Sequence, residues 1–185
     1  VMYNEHVLNA LKLTVPQTWA DLLDQRYMGK IAMTEPTDSE FTSLFTMLIL
    51  QSKMQTTTGV QNWTAGWEYL IKLAASIKEY DNESDTALKV SSGYLPLAIV
   101  PDFYAYDKMA IPVPDINFTY LDATVLHPDP IAIFSKGKYL KEAKAFIDFI
   151  LTRDAQNIVG KYLLPIRENA AVLSPRINPF SPSFP

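Results

Sequence analysis

The chain has 185 residues, 48% of them hydrophobic and 19% charged, with a formal net charge of −4 and no cysteine. That composition suits a folded domain with a sizeable core. It excludes a basic nucleic-acid footprint, thiol catalysis, structural disulfides and cysteine-ligated zinc. The longest apolar run, Leu44–Leu50, is interrupted by Thr46 and falls far short of the roughly 20 residues that a membrane span needs. The sequence starts at Val1 and not at a methionine, so the lack of a visible leader says nothing about targeting.

Taken in chain order, residues 1–15 read as a strand or hinge followed by a connector. Pro16-Gln17-Thr18-Trp19 opens a helical stretch with Thr18 as N-cap, and Gly29 breaks it. Lys30–Thr34 reads as a short buried strand. Thr37-Asp38-Ser39-Glu40 has the form of a capping box and precedes an apolar helix with Phe41, Leu44, Phe45 and Leu48 on one face. A second helix is predicted from about Val60 to Lys78, with Trp63, Trp67, Leu70, Ile71 and Ala74 as its core face. Asp81–Asp85 reads as a polar turn, and Thr86–Ser92 as a short helix stopped by Gly93. Tyr94–Val100 is a buried strand whose Pro96 marks its start or an edge. Tyr104–Met109 reads as a short helix, Asn117–Leu121 and Ile131–Phe134 as strands, and Lys138–Leu151 and Asp154–Tyr162 as helices. Ser174–Pro185 reads as a Pro-rich, poorly packed tail. Strands alternating with helices predict an α/β domain with helices flanking a sheet, and ligands of such sheets gather where helix N-termini meet strand ends.

Most catalytic chemistry lacks its parts. The two histidines, His6 and His127, are far apart, and no Gly-x-Ser-x-Gly elbow, His-Glu-x-x-His, P-loop or dinucleotide glycine pattern is present. His127 lies in a His-Pro-Asp-Pro turn and reads as a loop residue. Two acidic clusters, Glu35/Asp38/Glu40 and Asp81/Glu83/Asp85, keep one enzymatic alternative open: a small α/β hydrolase or glycosidase with paired carboxylates across a cleft. A solvated turn and a helix cap explain the same residues. The hydroxyls at Thr37, Ser39 and Thr42 stand at a helix N-terminus, which attracts anions. Tyr104, beyond a buried strand and a turn, can stack on a ligand, donate a hydrogen bond or bind ferric iron as a phenolate. The Trp63/Trp67 pair reads as core. An interaction module with an exposed aromatic surface is a third possibility.

The order of segments carries a resemblance. Tyr3-Asn4 is followed by Val15-Pro16-Gln17-Thr18-Trp19-Ala20-Asp21-Leu22-Leu23, Gly29-Lys30-Ile31, Glu35-Pro36-Thr37-Asp38-Ser39, Gly66-Trp67-Glu68-Tyr69-Leu70 and Gly93-Tyr94. Pro101-Asp102-Phe103-Tyr104-Ala105, the helix Glu142-Ala143-Lys144-Ala145-Phe146-Ile147-Asp148-Phe149-Ile150 and Leu164-Pro165-Ile166-Arg167 complete the series. Over roughly residues 3–170 this resembles the solute-binding proteins of ABC importers, in the ferric-iron, thiamine and phosphonate group. The resemblance implies a type II periplasmic-binding-protein-like fold in which a mixed sheet is flanked by helices. It implies a non-enzymatic ligand receptor that closes by hinge motion, sits outside the cytoplasm in the periplasm or anchored at the cell surface, and delivers its ligand to a membrane permease.

On that resemblance, residues 1–14 form a hinge or crossover, 15–125 the ligand-binding second lobe, 126–173 a return segment with C-terminal helices, and 174–185 the tail. The first lobe's opening hundred or so residues have no counterpart, given typical domain sizes of about 100 residues or more. Apolar surface exposed after about residue 131 is then a route to dimerisation. The implied ligand contacts are Thr37, Ser39, Ser84 and Tyr104. The ligand is ferric iron or an iron chelate, a phosphonate or other organic anion, or thiamine. The family's iron-binding tyrosine pair falls on Phe103-Tyr104, so Tyr104 is the one phenol left as a metal ligand, with Asp102 or Tyr106 as substitutes for the other. No resident cofactor is implied, ferric iron entering only as cargo.

Overall fold

Four short apolar runs and one half-polar run build a single sheet: β1 (Met2–Asn4), β2 (Ile31–Thr34), β3 (Ile77–Asp81), β4 (Leu97–Ile99) and β5 (Ile116–Phe118). The computed structural model describes residues 1–54, 62–110, 115–125 and 127–171. The Pro-rich tail and the expected helix start near Val60 lie outside them. The chain divides into two compact units, Val1–Leu126 and His127–Phe184, and the sheet belongs to the first.

The sheet order is β3-β2-β4-β1-β5. β2 runs parallel to both β3 and β4, while β1 is antiparallel to its neighbours β4 and β5, so the sheet is mixed. Period-2 alternation sends side chains to opposite faces. Ile31, Met33, Leu97 and Ile99 enter one core with Leu8, Trp19, Leu22, Ile49 and Leu73. Ala32, Ala98 and Met2 enter the other with Ala87, Val90, Val100 and Ala105. Both faces are covered by helices, as expected for strands that read as continuous apolar runs.

On the first face lie α2 (Glu40–Met54) and α3 (Trp63–Ser76); on the second lie α4 (Glu83–Ser91) and α5 (Asp102–Ala110). The short α1 (Glu5–Ala10) is capped by Asn4, whose Oδ1 accepts from the Val7 amide at 3.1 Å and whose Nδ2 reaches the Val90 carbonyl. The Thr18-to-Asp21 segment closes on itself. Thr18 Oγ1 accepts from the Asp21 amide at 3.2 Å, and Asp21 Oδ2 accepts from the Thr18 and Gln17 amides at 2.9 and 2.8 Å. Thr18 is therefore a cap, as expected, but of a 3-10 turn, Asp21–Leu23. Trp19 ties this turn to a distant loop: its amide donates to Asp122 and its indole to the Ala123 carbonyl at 2.7 Å, while Tyr69 Oη donates to its carbonyl.

Four expectations need correction. Trp63 and Trp67 are not core: they are 55% and 50% exposed. The buried face of α3 is Gly66, Tyr69, Leu73 and Ser76, because α2 approaches so closely at Gly66 that no side chain fits between Leu50 and Met54. The α3 helix also stops at Ser76, and residues 77–81 form the edge strand β3, not the end of a helix and a turn. Its polar outer positions hid it: Lys89 bridges Glu79 and Asp81, and Tyr94 Oη donates to Glu79, the kind of charged edge that resists pairing with other chains. Third, Asp81–Asp85 is not a turn, since α4 starts at Glu83 with Asn82 as N-cap. Fourth, Ile131–Phe134 forms no strand, and Phe134 is exposed. Among the described residues the second unit has no strand to pair with it.

Pro96 opens β4 as expected: its carbonyl accepts from the Asn4 amide at 3.0 Å, and the ladder begins one residue later. Gly93, at φ +77°, ends the turn after α4. The second unit holds α6 (Leu140–Ile150) and α7 (Arg153–Val159). Thr152 caps α7, and the buried Gln156 links the Ile150 carbonyl to the Ile166 amide. No residue of α6 is buried, and Phe146 and Phe149 stay exposed. Among the described residues no helix is long and apolar enough to cross a membrane.

Candidate functional site

Three helices begin at the carboxyl ends of three adjacent parallel strands. β2 leads into α2, β3 into α4 and β4 into α5. This follows from the βα order of the chain, and it points the positive ends of three helix dipoles toward one edge of the sheet. The strand ends are laced together: the Glu35 amide donates to the Asp81 carbonyl at 3.0 Å.

Ser39 is the residue before α2, and its Oγ accepts from the Thr42 amide at 3.3 Å. Ser39 is therefore the N-cap, two positions after the Thr37 of the expected capping box. Thr37 is exposed and donates to Glu35 Oε1 at 3.4 Å. Ser43 Oγ donates to the Pro36 carbonyl, which fixes the turn from the helix side.

Glu83 is the first residue of α4 and the centre of the arrangement. Ser39 Oγ donates to its Oε1, and Tyr104 Oη, from the first turn of α5, donates to its Oε2 at 2.9 Å. Residues 44 and 21 positions away thus meet on one carboxylate. Burial pushes the Tyr104 phenol up to about 12, and the hydrogen bond to Glu83 adds to the shift, so at neutral pH it is a donor.

Aromatic rings wall this cluster. Phe103 stacks tilted on Tyr104 at 4.6 Å and meets Phe41 of α2 edge-on at 5.6 Å. The rings join the first turns of α2 and α5. Thr34 Oγ1, at the end of β2, and Thr42 Oγ1, in the first turn of α2, are buried without a hydrogen-bond partner among the described residues.

Of the four residues expected from sequence, Ser39 and Tyr104 are brought together. Ser84 is exposed on the first turn of α4, and Thr37 is turned to Glu35. Of the two substitutes for a second phenol, Tyr106 lies two residues from Tyr104 and so on the opposite side of α5. It is fully buried against Phe118 with its Oη unpartnered. Asp102 accepts from Tyr120 Oη at 2.6 Å. Among the described residues no group of three or more His, Asp or Glu side chains is arranged to hold a metal.

Sequence reasoning names Glu83 only within the acidic cluster Asp81/Glu83/Asp85, as a paired carboxylate or part of a solvated turn, and not as the meeting point of Ser39 and Tyr104. Only the contacts of Ser39 and Tyr104 reveal it. A signal was available: Asn82 followed by Asp85 is an N-cap pattern, and it puts Glu83 in a first helical turn.

Comparison with known proteins agrees with this architecture. The model of the bacterial extracellular solute-binding protein family matches residues 1–179. The phosphoglycerate transport regulatory protein PgtC of Salmonella typhimurium is 29% identical over 168 residues, which cover 88% of this chain and 40% of that protein. Among solved structures, the ferric binding protein from Campylobacter jejuni superposes with a TM-score of 0.67 at 16% identity, over 92% of this chain and 55% of the other. The periplasmic binding protein AfuA from Actinobacillus pleuropneumoniae, with fructose-6-phosphate bound, gives 0.62 at 21% identity, over 87% and 49%. The chain thus spans about half the length of these structures and less than half of the curated relative. With its mixed sheet, helix-flanked on both faces, and its residues matched almost end to end, the chain belongs to the bacterial extracellular solute-binding protein family, which groups binding proteins and not hydrolases.

Proposed function

We propose that this chain forms the ligand-holding lobe of the solute receptor of an ABC-type importer, and that the ligand is a small organic anion. The observation that carries the reading is the meeting of three helix N-termini in the Ser39–Glu83–Tyr104 cluster, at the carboxyl ends of β2, β3 and β4. Helix N-termini supply free amides and positive potential for an anionic group, and the Phe41–Phe103–Tyr104 wall supplies an apolar side. Receptors of this kind hold the ligand on one lobe, complete the shell by hinge closure with another and present the closed form to a membrane permease. Ser39 and Tyr104 are the ligand contacts, with Thr37 and Ser84 at the rim.

Two related proteins are described with phosphorylated ligands and one with ferric iron. The organic anion is favoured over ferric iron because Tyr104 stands next to Phe103 where a second phenol would be needed, and because its proton is engaged by Glu83. Titration of the full-length receptor with fructose 6-phosphate, 3-phosphoglycerate, ferric citrate and thiamine tests this. Binding of a phosphorylated compound accompanied by compaction in small-angle scattering is the expected result. Binding of ferric citrate or thiamine alone would overturn the ligand assignment.

A further inference from the structure

We propose that the outer face of α3 is a self-association surface, on which a second copy of this chain docks its own α3 antiparallel, Trp67 of each against Ile71 of the other. The inference is independent of the ligand reading, because this face lies away from the ligand site. The Asn62 amide donates to the Met54 carbonyl at 2.8 Å, so α3 starts beside the far end of α2. The Ser76 carbonyl accepts from the Gly29 amide at 3.0 Å, so α3 ends beside the residues that lead into β2. Ser39, Glu83 and Tyr104 stand instead where β2, β3 and β4 end and α2, α4 and α5 begin.

The face is apolar where a solvated helix side is normally polar. Gly66, Tyr69, Leu73 and Ser76 turn inward. Trp63, Trp67, Ile71 and Ala74 recur at the three- and four-residue steps that share one helix face. Trp63, Trp67 and Ile71 are 55%, 50% and 68% exposed, and Ala74 is exposed with them. Single exposed apolar residues need no explanation, but a contiguous row marks an interaction surface. Its two tryptophans matter most, since tryptophan is enriched among the side chains that carry interface energy.

The row is complementary to itself when reversed, which is what a two-fold interface between copies requires. It has a large residue, Trp63, at its start and a small one, Ala74, at its end. In an antiparallel pair centred between Trp67 and Ile71, the Trp63 indole of each copy lies over the other's Ala74. A parallel pair would set large on large and small on small. Glu68 and Lys72 each follow a member of the row by one position, so they line the same flank, and the two-fold axis sets like flanks together. Each Glu68 then stands beside the other copy's Lys72. Both side chains are exposed, and neither enters an ion pair among the described residues. With 14 residues, α3 is about 21 Å long and about 10 Å wide. Its contact is therefore smaller than the ~800 Å² per partner of a standard interface, and the association is weak.

The test is sedimentation velocity of the full-length receptor from about 10 μM to about 1 mM, the range of a weak contact. The expected result is a dimer whose share grows with concentration. Trp67→Glu is expected to weaken it by about tenfold or more, as for a central interface tryptophan, with the thermal midpoint unchanged because the side chain is exposed. Lys72→Glu sets Glu against Glu twice across the axis and is expected to weaken the dimer by about fivefold. Adding Glu68→Lys to Lys72→Glu is expected to restore the parent value, because the reversed pair is again complementary. A receptor that stays monomeric over the whole range would overturn the proposal, as would a dimer that Trp67→Glu leaves intact. A large drop in the thermal midpoint of Trp67→Glu would put the row under another part of the receptor and overturn it too. Weakening by Lys72→Glu that Glu68→Lys fails to reverse would overturn the antiparallel self-pairing.

Discussion

Replacing Gly66 by alanine sets two effects of opposite sign against each other. In an exposed helix interior the change gains about 1 kcal/mol of helix propensity. At Gly66 the added Cβ would stand 2.7 Å from Leu50 Cδ1, 2.9 Å from Met54 Cγ and 2.9 Å from the Leu50 carbonyl oxygen. Carbon atoms in contact prefer about 3.5–4.0 Å. The Leu50 and Met54 side chains can swing aside, but the carbonyl moves only with the α2 backbone. Opening the α2–α3 interface enough would loosen Leu50, Met54, Tyr69 and Leu73 together, and overpacking of this kind costs typically about 1–3 kcal/mol. The clash therefore wins, and Gly66→Ala is expected to lower stability by about 1–2 kcal/mol net. That corresponds to a drop of roughly 2–8 °C for a protein of this size. Urea denaturation of the full-length receptor measures it, with Ala75→Gly on the exposed side of the same helix as the propensity control. A Gly66→Ala protein as stable as the parent, or more so, would refute the close-approach argument and return the core face of α3 to the tryptophan side.

Gly93→Ala is expected to cost about 1 kcal/mol for a different reason. At Gly93 φ is +77° while the nearest side-chain atom lies 3.6 Å from the added Cβ, so backbone conformation and not crowding sets the loss; an equal midpoint in urea would contradict this. Tyr69→Phe removes the donor to the Trp19 carbonyl and should destabilise by about 1–3 kcal/mol, because a buried acceptor is left unpaired; thermal melts followed in the near- or far-ultraviolet report it, and an unchanged midpoint would contradict it. Asp21 is held below the usual carboxylate range by the Gln17 and Thr18 amides. A depressed native pKa gives stability that is present above about pH 4 and lost as the pH falls through the native value. Asp21→Asn should therefore flatten the acid side of a plot of urea midpoint against pH, and an unchanged acid slope would refute the assignment. The Tyr104 phenol, raised to about 12, carries the opposite sign: its contribution is complete below about pH 10 and fades as the pH rises through 12. The difference in phenolate absorbance between the parent and Tyr104→Phe should show that late step, and a step near 10 would count against the Glu83 hydrogen bond.

What the sequence determined by itself was local. Thr18 and Asp21 cap each other within three residues, Gly29 and Gly93 take left-handed conformations that favour glycine, Pro96 stands where a strand can begin, and the apolar runs around Ile31 and Leu97 enter a sheet buried on both faces. The ordered segments also pointed to the family, because a turn, a cap and a strand start each leave a short signature. Three things were decided only by tertiary structure. The face of α3 that goes inward depends on how near α2 comes, and amphipathic spacing could not tell Trp63 and Trp67 from Tyr69 and Leu73. The edge strand β3 exists because β2 offers it a ladder, although its own residues read as a helix end and a polar turn. Glu83 becomes more than a surface charge only when the parallel order β3-β2-β4 carries Ser39 and Tyr104 to its two oxygens. The physical reason is the same in all three cases: period and capping are properties of neighbouring residues, whereas a contact across 21 or 44 positions belongs to the packing of whole elements.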